Sequence, residues 1–168
     1  MTPPNPFTPP GSRVEDRPNR VPGSPVKAVL LGAVVDVAAT MAGGIVAGLL
    51  FAMGFSALGA TREELAELVQ PATWSAYLVA MMGIGTAGSA LGGYVCARIA
   101  KRDEARLGWI LAAISVLLGV LMGGDAAAEK FDQLVVGALL TVIGVLVGTK
   151  LGEAKNRRAE AGSTAETP

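Results

Sequence analysis

Charged positions divide this chain into four long apolar runs separated by short polar connections. Between Val26 and Met53, a run of 28 residues, only Lys27 and Asp36 carry charge. Trp74 to Ala97 contains no charge in 24 residues, Leu107 to Gly124 none in 18, and Gln133 to Thr149 none in 17. A helix crosses a hydrocarbon layer of about 30 Å with roughly 20 apolar residues. None of the four runs keeps the polar stripe by which a helix on a soluble domain meets water. The pattern predicts an all-α integral membrane protein of four antiparallel transmembrane helices, at about 26–55, 74–100, 107–124 and 131–152.

The transmembrane domain then covers 26–152, between a Pro-rich tail over 1–25 and a polar tail over 153–168, both expected to be disordered. The first apolar run begins only after 25 residues and is too long for the core of a secretory signal, which predicts a retained span. In the first outer connection, Thr61-Arg62-Glu63-Glu64 has capping-box spacing, and Leu65, Leu68 and Val69 follow as an apolar stripe before Pro71. That predicts a short helix over 62–70 lying on the outer surface.

Composition agrees with the pattern: 51% of residues are hydrophobic, 17% are charged, and the mean hydropathy is +0.49. Lys and Arg equal Asp and Glu at 14 each, so no overall field exists to attract nucleic acid. The distribution is the informative part. Arg13, Arg17, Arg20, Lys27, Arg98, Lys101, Arg102, Arg106, Lys150, Lys155, Arg157 and Arg158 flank one side of the spans. Arg62 and Lys130 alone flank the other, beside Glu63, Glu64, Glu67, Asp125, Glu129 and Asp132. The positive-inside rule then puts both termini in the cytoplasm. Trp74, Tyr77 and Phe131 fall at the outer ends of their spans, and Tyr94 and Trp109 near the inner face, as interfacial aromatics do.

Candidate chemistry is sparse. With no His and a single Cys, Cys96, the chain lacks imidazole–thiolate metal sites, Cys–His nucleophiles and an internal disulfide. Gly83-x-Gly85-x-x-Gly88 matches a dinucleotide-binding turn in spacing, but it lies mid-span with no strand before it, where no phosphate can be held. No cofactor and no enzymatic activity are expected. The same glycines belong to a different pattern, small residues at every fourth position. Gly43, Gly44 and Gly48, then Gly85, Gly88 and Gly92, then Gly144 and Gly148 are its clearest members. Such spacing lets helix backbones approach closely in lipid, which predicts helix-packing faces within the chain or toward a partner.

Asp36 is the one carboxylate placed deep within a span. At 1.5 Å per residue it lies roughly 10 Å into the inner half of the membrane. A charge there costs about 2.5–3.5 kcal/mol on insertion scales, so the side chain should turn toward the bundle. Thr40 follows on the same helical face, and Ser89 and Ser115 fall at a similar depth on their own spans. These four form a candidate intramembrane polar site. Arg98 and Lys150 lie nearer the inner interface, where long cationic side chains snorkel to the headgroups.

Two stretches resemble known proteins. Asn5-Pro6-Phe7-Thr8-Pro9-Pro10 resembles the N-terminal tail of many small proteobacterial inner-membrane proteins. Gly92-Gly93-Tyr94-Val95-Cys96-Ala97-Arg98, together with the Asp36 helix, resembles the second-helix end of uncharacterised four-helix bacterial inner-membrane proteins. The resemblances imply a bacterial plasma-membrane setting and no particular activity. Small multidrug resistance transporters also have four helices and a carboxylate in the first, but theirs is Glu, they are shorter, and their loop charge is often weakly biased. The expected role is therefore a structural or accessory membrane subunit, surrounded by lipid and packing with itself or with a membrane partner. The alternative is a small proton-coupled transporter using Asp36.

Overall fold

The computed structural model describes residues 23–69, 76–123 and 131–164, and every element among them is helical. The elements are α1 (Pro25–Ala57), α2 (Arg62–Val69), α3 (Ala76–Ala100), α4 (Glu104–Gly123) and α5 (Phe131–Thr164). The Pro-rich tail to residue 22, Trp74, and the loop charges Asp125, Glu129 and Lys130 lie outside the described residues.

Four of these helices are long and apolar enough to cross a membrane: Pro25–Ala57, Ala76–Ala100, Glu104–Met122 and Phe131–Ala159. Their surfaces invert the pattern of a soluble bundle. Leu30, Ile45, Leu50, Leu121, Leu139 and Leu151 stand exposed, while the core consists largely of Ala28, Cys96, Ala97, Ala100 and Ala112, joined by Leu111 and Val145. Apolar surface that continuous is at home against acyl chains and not against water.

Local sequence accounts for the helix ends. Ser24 caps α1, its hydroxyl oxygen accepting from the Lys27 N–H at 3.5 Å, and Pro25 takes the first helical position, where no N–H is needed. At the other end Gly59 adopts φ +85°, donating to Ser56 O at 3.1 Å while Ala60 N–H reaches Phe55 O at 3.0 Å. That double bond pattern is a Schellman motif, and it needs a left-handed residue where Gly59 stands. The expected capping box on α2 is present: Glu64 N–H donates to Thr61 Oγ1 at 3.3 Å, and Thr61 N–H donates back to Glu64 Oε2 at 2.8 Å.

The turn from α3 to α4 is very short. Lys101 and Asp103 both have positive φ, +52° and +53°, and no glycine is there to relieve them. Lys101 N–H closes α3 on Ala97 O at 3.3 Å, and Asp103 O accepts the first bond of α4 from Leu107 N–H at 3.1 Å.

The helix boundaries differ from the sequence expectation mainly at the end of the bundle that holds the turn from α3 to α4. α4 begins at Glu104, before the expected 107. α5 continues to Thr164, so the tail expected to be disordered over 153–168 is helical as far as residue 164. The run from Glu153 to Ala161 is rich in Ala, Glu, Lys and Arg, all good helix formers, and a charge that ends an apolar run does not end a helix.

Packing centres on α3, which touches α1, α4 and α5, while α4 lies against the other three spans. α1 and α3 run in opposite directions: Gly32 meets Cys96 and Gly92, while Gly43 meets Ile84. α3 and α5 run in the same direction, with Gly144 beside Thr86, Gly148 beside Ala90 and Gly152 beside Tyr94. This parallel pair includes some of the closest backbone approaches in the bundle. A methyl group at Gly144 would lie 2.6 Å from Thr86 O, and one at Gly93 or Gly148 would overlap Val145 O or Ala90 O.

Candidate functional site

Asp36 lies on the α1 face that meets α3 and is 6% exposed. Two other helices supply its hydrogen bonds. Ser89 of α3, itself 3% exposed, donates its hydroxyl to Oδ1 at 2.9 Å. Ser115 of α4 donates to Oδ2 at 2.6 Å. The carboxyl therefore ties three helices together through both of its oxygens. Among the described residues no Lys or Arg forms an ion pair with it.

Glycine makes the room. A Cβ at Gly92 would lie 2.8 Å from Asp36 Cβ and 2.7 Å from Gly32 O, so any side chain there would push α1 off α3 and draw Ser89 from the carboxyl. One turn earlier Gly88 faces Asp36 O and Thr40 N at 3.3 and 3.0 Å from its would-be Cβ, and also meets Thr40 Oγ1. Three of the four residues expected to form a polar site thus join through hydrogen bonds. Thr40 packs one turn away against Gly88 and makes no hydrogen bond to the carboxyl. The helical step explains the difference: residue 40 follows residue 36 along the face and meets the next turn of α3 instead of the same one.

The two cations expected at the inner interface divide. Lys150 is largely exposed and pairs with Glu153 at 3.2 Å, and Glu153 also pairs with Arg157. Arg98 is half-buried and donates from Nη1 to Asn156 Oδ1 at 2.9 Å. Neither cation reaches Asp36. Asn156 is 6% exposed and donates from Nδ2 to Ala97 O at 3.0 Å and toward Glu104 Oε1 at 3.5 Å. The amide adds a second bond to a carbonyl in the last turn of α3 that already accepts from Lys101 N–H at 3.3 Å. Sequence reasoning missed Asn156 because it fell in the expected tail. Its signal was nonetheless present, since Gly144, Gly148, Gly152 and Asn156 continue one ridge at four-residue steps.

The expected packing glycines also divide. Gly43, Gly88, Gly92, Gly144 and Gly148 face neighbouring helices at or below van der Waals contact. Gly44 faces open space, Gly48 meets only the Tyr77 hydroxyl at 3.9 Å, and Gly85 only Thr40 Cγ2 at 4.0 Å. Those three make no close helix approach within the chain, because four-residue spacing marks stripes on several sides of a helix and packing uses only one. Comparisons with protein-family models, curated proteins and solved structures give no match.

Proposed function

We propose that this chain is a multi-pass protein of the bacterial plasma membrane with both termini cytoplasmic, acting without enzymatic activity as a structural or accessory membrane subunit. Small-residue faces hold its own helices together and offer a surface to a second copy or another membrane protein. The observation that carries the reading is the closed state of Asp36, whose two oxygens are both spent on hydroxyls from neighbouring helices. A hydroxyl can accept as well as donate, so the clasp keeps both bonds whether the carboxyl is ionised or protonated. That is the behaviour of a fastening between helices.

A second reading has its own support. Asp36 is a buried acid with no cationic partner among the described residues, which a small proton-coupled transporter would also require. Proteoliposomes carrying an internal pH dye separate the two. Wild-type protein is expected to move no protons when hydrophobic organic cations are added. Cation-driven proton movement that disappears in folded Asp36→Asn would replace the structural reading with the transporter.

Orientation has a separate test. With Cys96 replaced by Ala, a cysteine introduced at exposed Ala66 in α2 should react with a membrane-impermeant thiol reagent on intact spheroplasts. One at exposed Ala159 should react only after the membrane is opened. Labelling of Ala159→Cys from outside would reverse the assigned topology.

A further inference from the structure

We propose that the Arg98 end of the bundle binds the phosphate headgroups of anionic phospholipids, with the guanidinium of Arg98 as the positioned contact. The inference rests on the membrane reading above. Arg98 has five N–H donors, of which one bond, to the neutral amide of Asn156, is made among the described residues. Buried Asn156 is fixed in turn by Ala97 O, so the guanidinium is oriented, and it forms no ion pair among the described residues. Lys27, Arg106, Lys155 and Arg158, all exposed, also form no ion pair among the described residues.

Packing brings these groups to one end. Gly23 lies against Ile99 O, Gly108 against Thr149, and Gly152 against Tyr94 and Ala97. The described residues at the other end have the reverse balance, with Arg62 among Glu63, Glu64, Glu67 and Asp132. A free phosphate would satisfy the charge alone. Beside the cations, however, Leu30 (62% exposed), Trp109 (58%) and Leu151 (60%) offer apolar surface on which acyl chains can lie. Charge and apolar surface together match a phospholipid.

The test is retention of added lipid by the purified full chain, read by native mass spectrometry from detergent, with phosphatidylglycerol and phosphatidylcholine in competition. Phosphatidylglycerol should be retained in preference, and the preference should shrink as ionic strength rises. Arg98→Gln and Arg106→Gln should each weaken phosphatidylglycerol binding about fivefold, the factor expected for one cation near an anionic surface. Arg62→Gln at the other end should change nothing. If Arg98→Gln does not fold, Lys155→Gln combined with Arg158→Gln carries the same expectation on exposed positions. Equal retention of the two lipids by protein that reconstitutes into bilayers would overturn this inference alone. Displacement of the lipid by millimolar inorganic phosphate would overturn it in favour of a free-anion site. Failure to enter bilayers at all would overturn the membrane reading, and this inference with it.

Discussion

Gly148→Ala is expected to destabilise the bundle by about 1–3 kcal/mol, while the same replacement at Gly44 should leave it unchanged or stabilise it by up to about 1 kcal/mol. The chemistry of the two changes is identical and only the surroundings differ. A methyl at Gly148 would overlap Ala90 O and lie 2.7 Å from the Ala90 carbonyl carbon, all of it backbone that cannot rotate away. α5 would have to move off α3, loosening Gly144 and Gly152 on the same ridge. At Gly44 the added methyl meets nothing within 4 Å, so the remaining effect is the lower conformational freedom of alanine in the unfolded chain. Unfolding in mixed micelles, followed by tryptophan fluorescence, would measure both. Equal responses would mean that α3 and α5 do not approach as described. A marked loss at Gly44 would instead place a second copy or a partner on that face.

Asp36→Leu should be the most damaging change at the polar site, and Asp36→Asn nearly silent. Asparagine retains the shape. Its carbonyl can accept from one serine while its amide donates to the other, whose hydroxyl turns from donor to acceptor. Leucine offers neither bond and leaves Ser89 and Ser115 without their present acceptor. A stranded buried hydroxyl costs about 1–3 kcal/mol. Part of that can be recovered if each serine bonds the carbonyl four residues earlier, as Thr86 does to Met82 O and Thr149 to Val145 O, both at 2.8 Å. The net expectation is a loss of about 1–3 kcal/mol for Leu and under about 1 kcal/mol for Asn. A large loss with Asn would show that the negative charge itself holds the helices, and equal stability of all three proteins would remove the clasp from the account.

Quantities that depend on one dimension were legible along the chain. The cost of placing charge in hydrocarbon reads directly along the chain, so four apolar runs were enough to locate four helices. Capping chemistry is equally local, and Thr61 with Glu64 marked the start of α2 that the structure contains, whereas Ser24 and Gly59 were recognised as the ends of α1 only in the structure. Depth was legible too, because a fixed rise per residue put Asp36, Ser89 and Ser115 at one level before any contact was known.

Which stripe of each helix faces which neighbour emerges from the packed bundle alone. Glycines recur at four-residue steps on several sides of α1 and α3, and spacing does not distinguish Gly88, which meets α1, from Gly85 or Gly44, which meet almost nothing. That the parallel helices α3 and α5 pack so closely could not be read from chain order, which makes antiparallel neighbours of consecutive spans. The continuation of α5 beyond the apolar run, and the bond from Asn156 to Ala97 O in the last turn of α3, belong to the same pairing. The physical reason is rotational. A sequence sets the angle of each side chain about its own helix axis, but the rotation of one helix against another comes from the summed contacts of all of them, and those exist only in the assembled bundle.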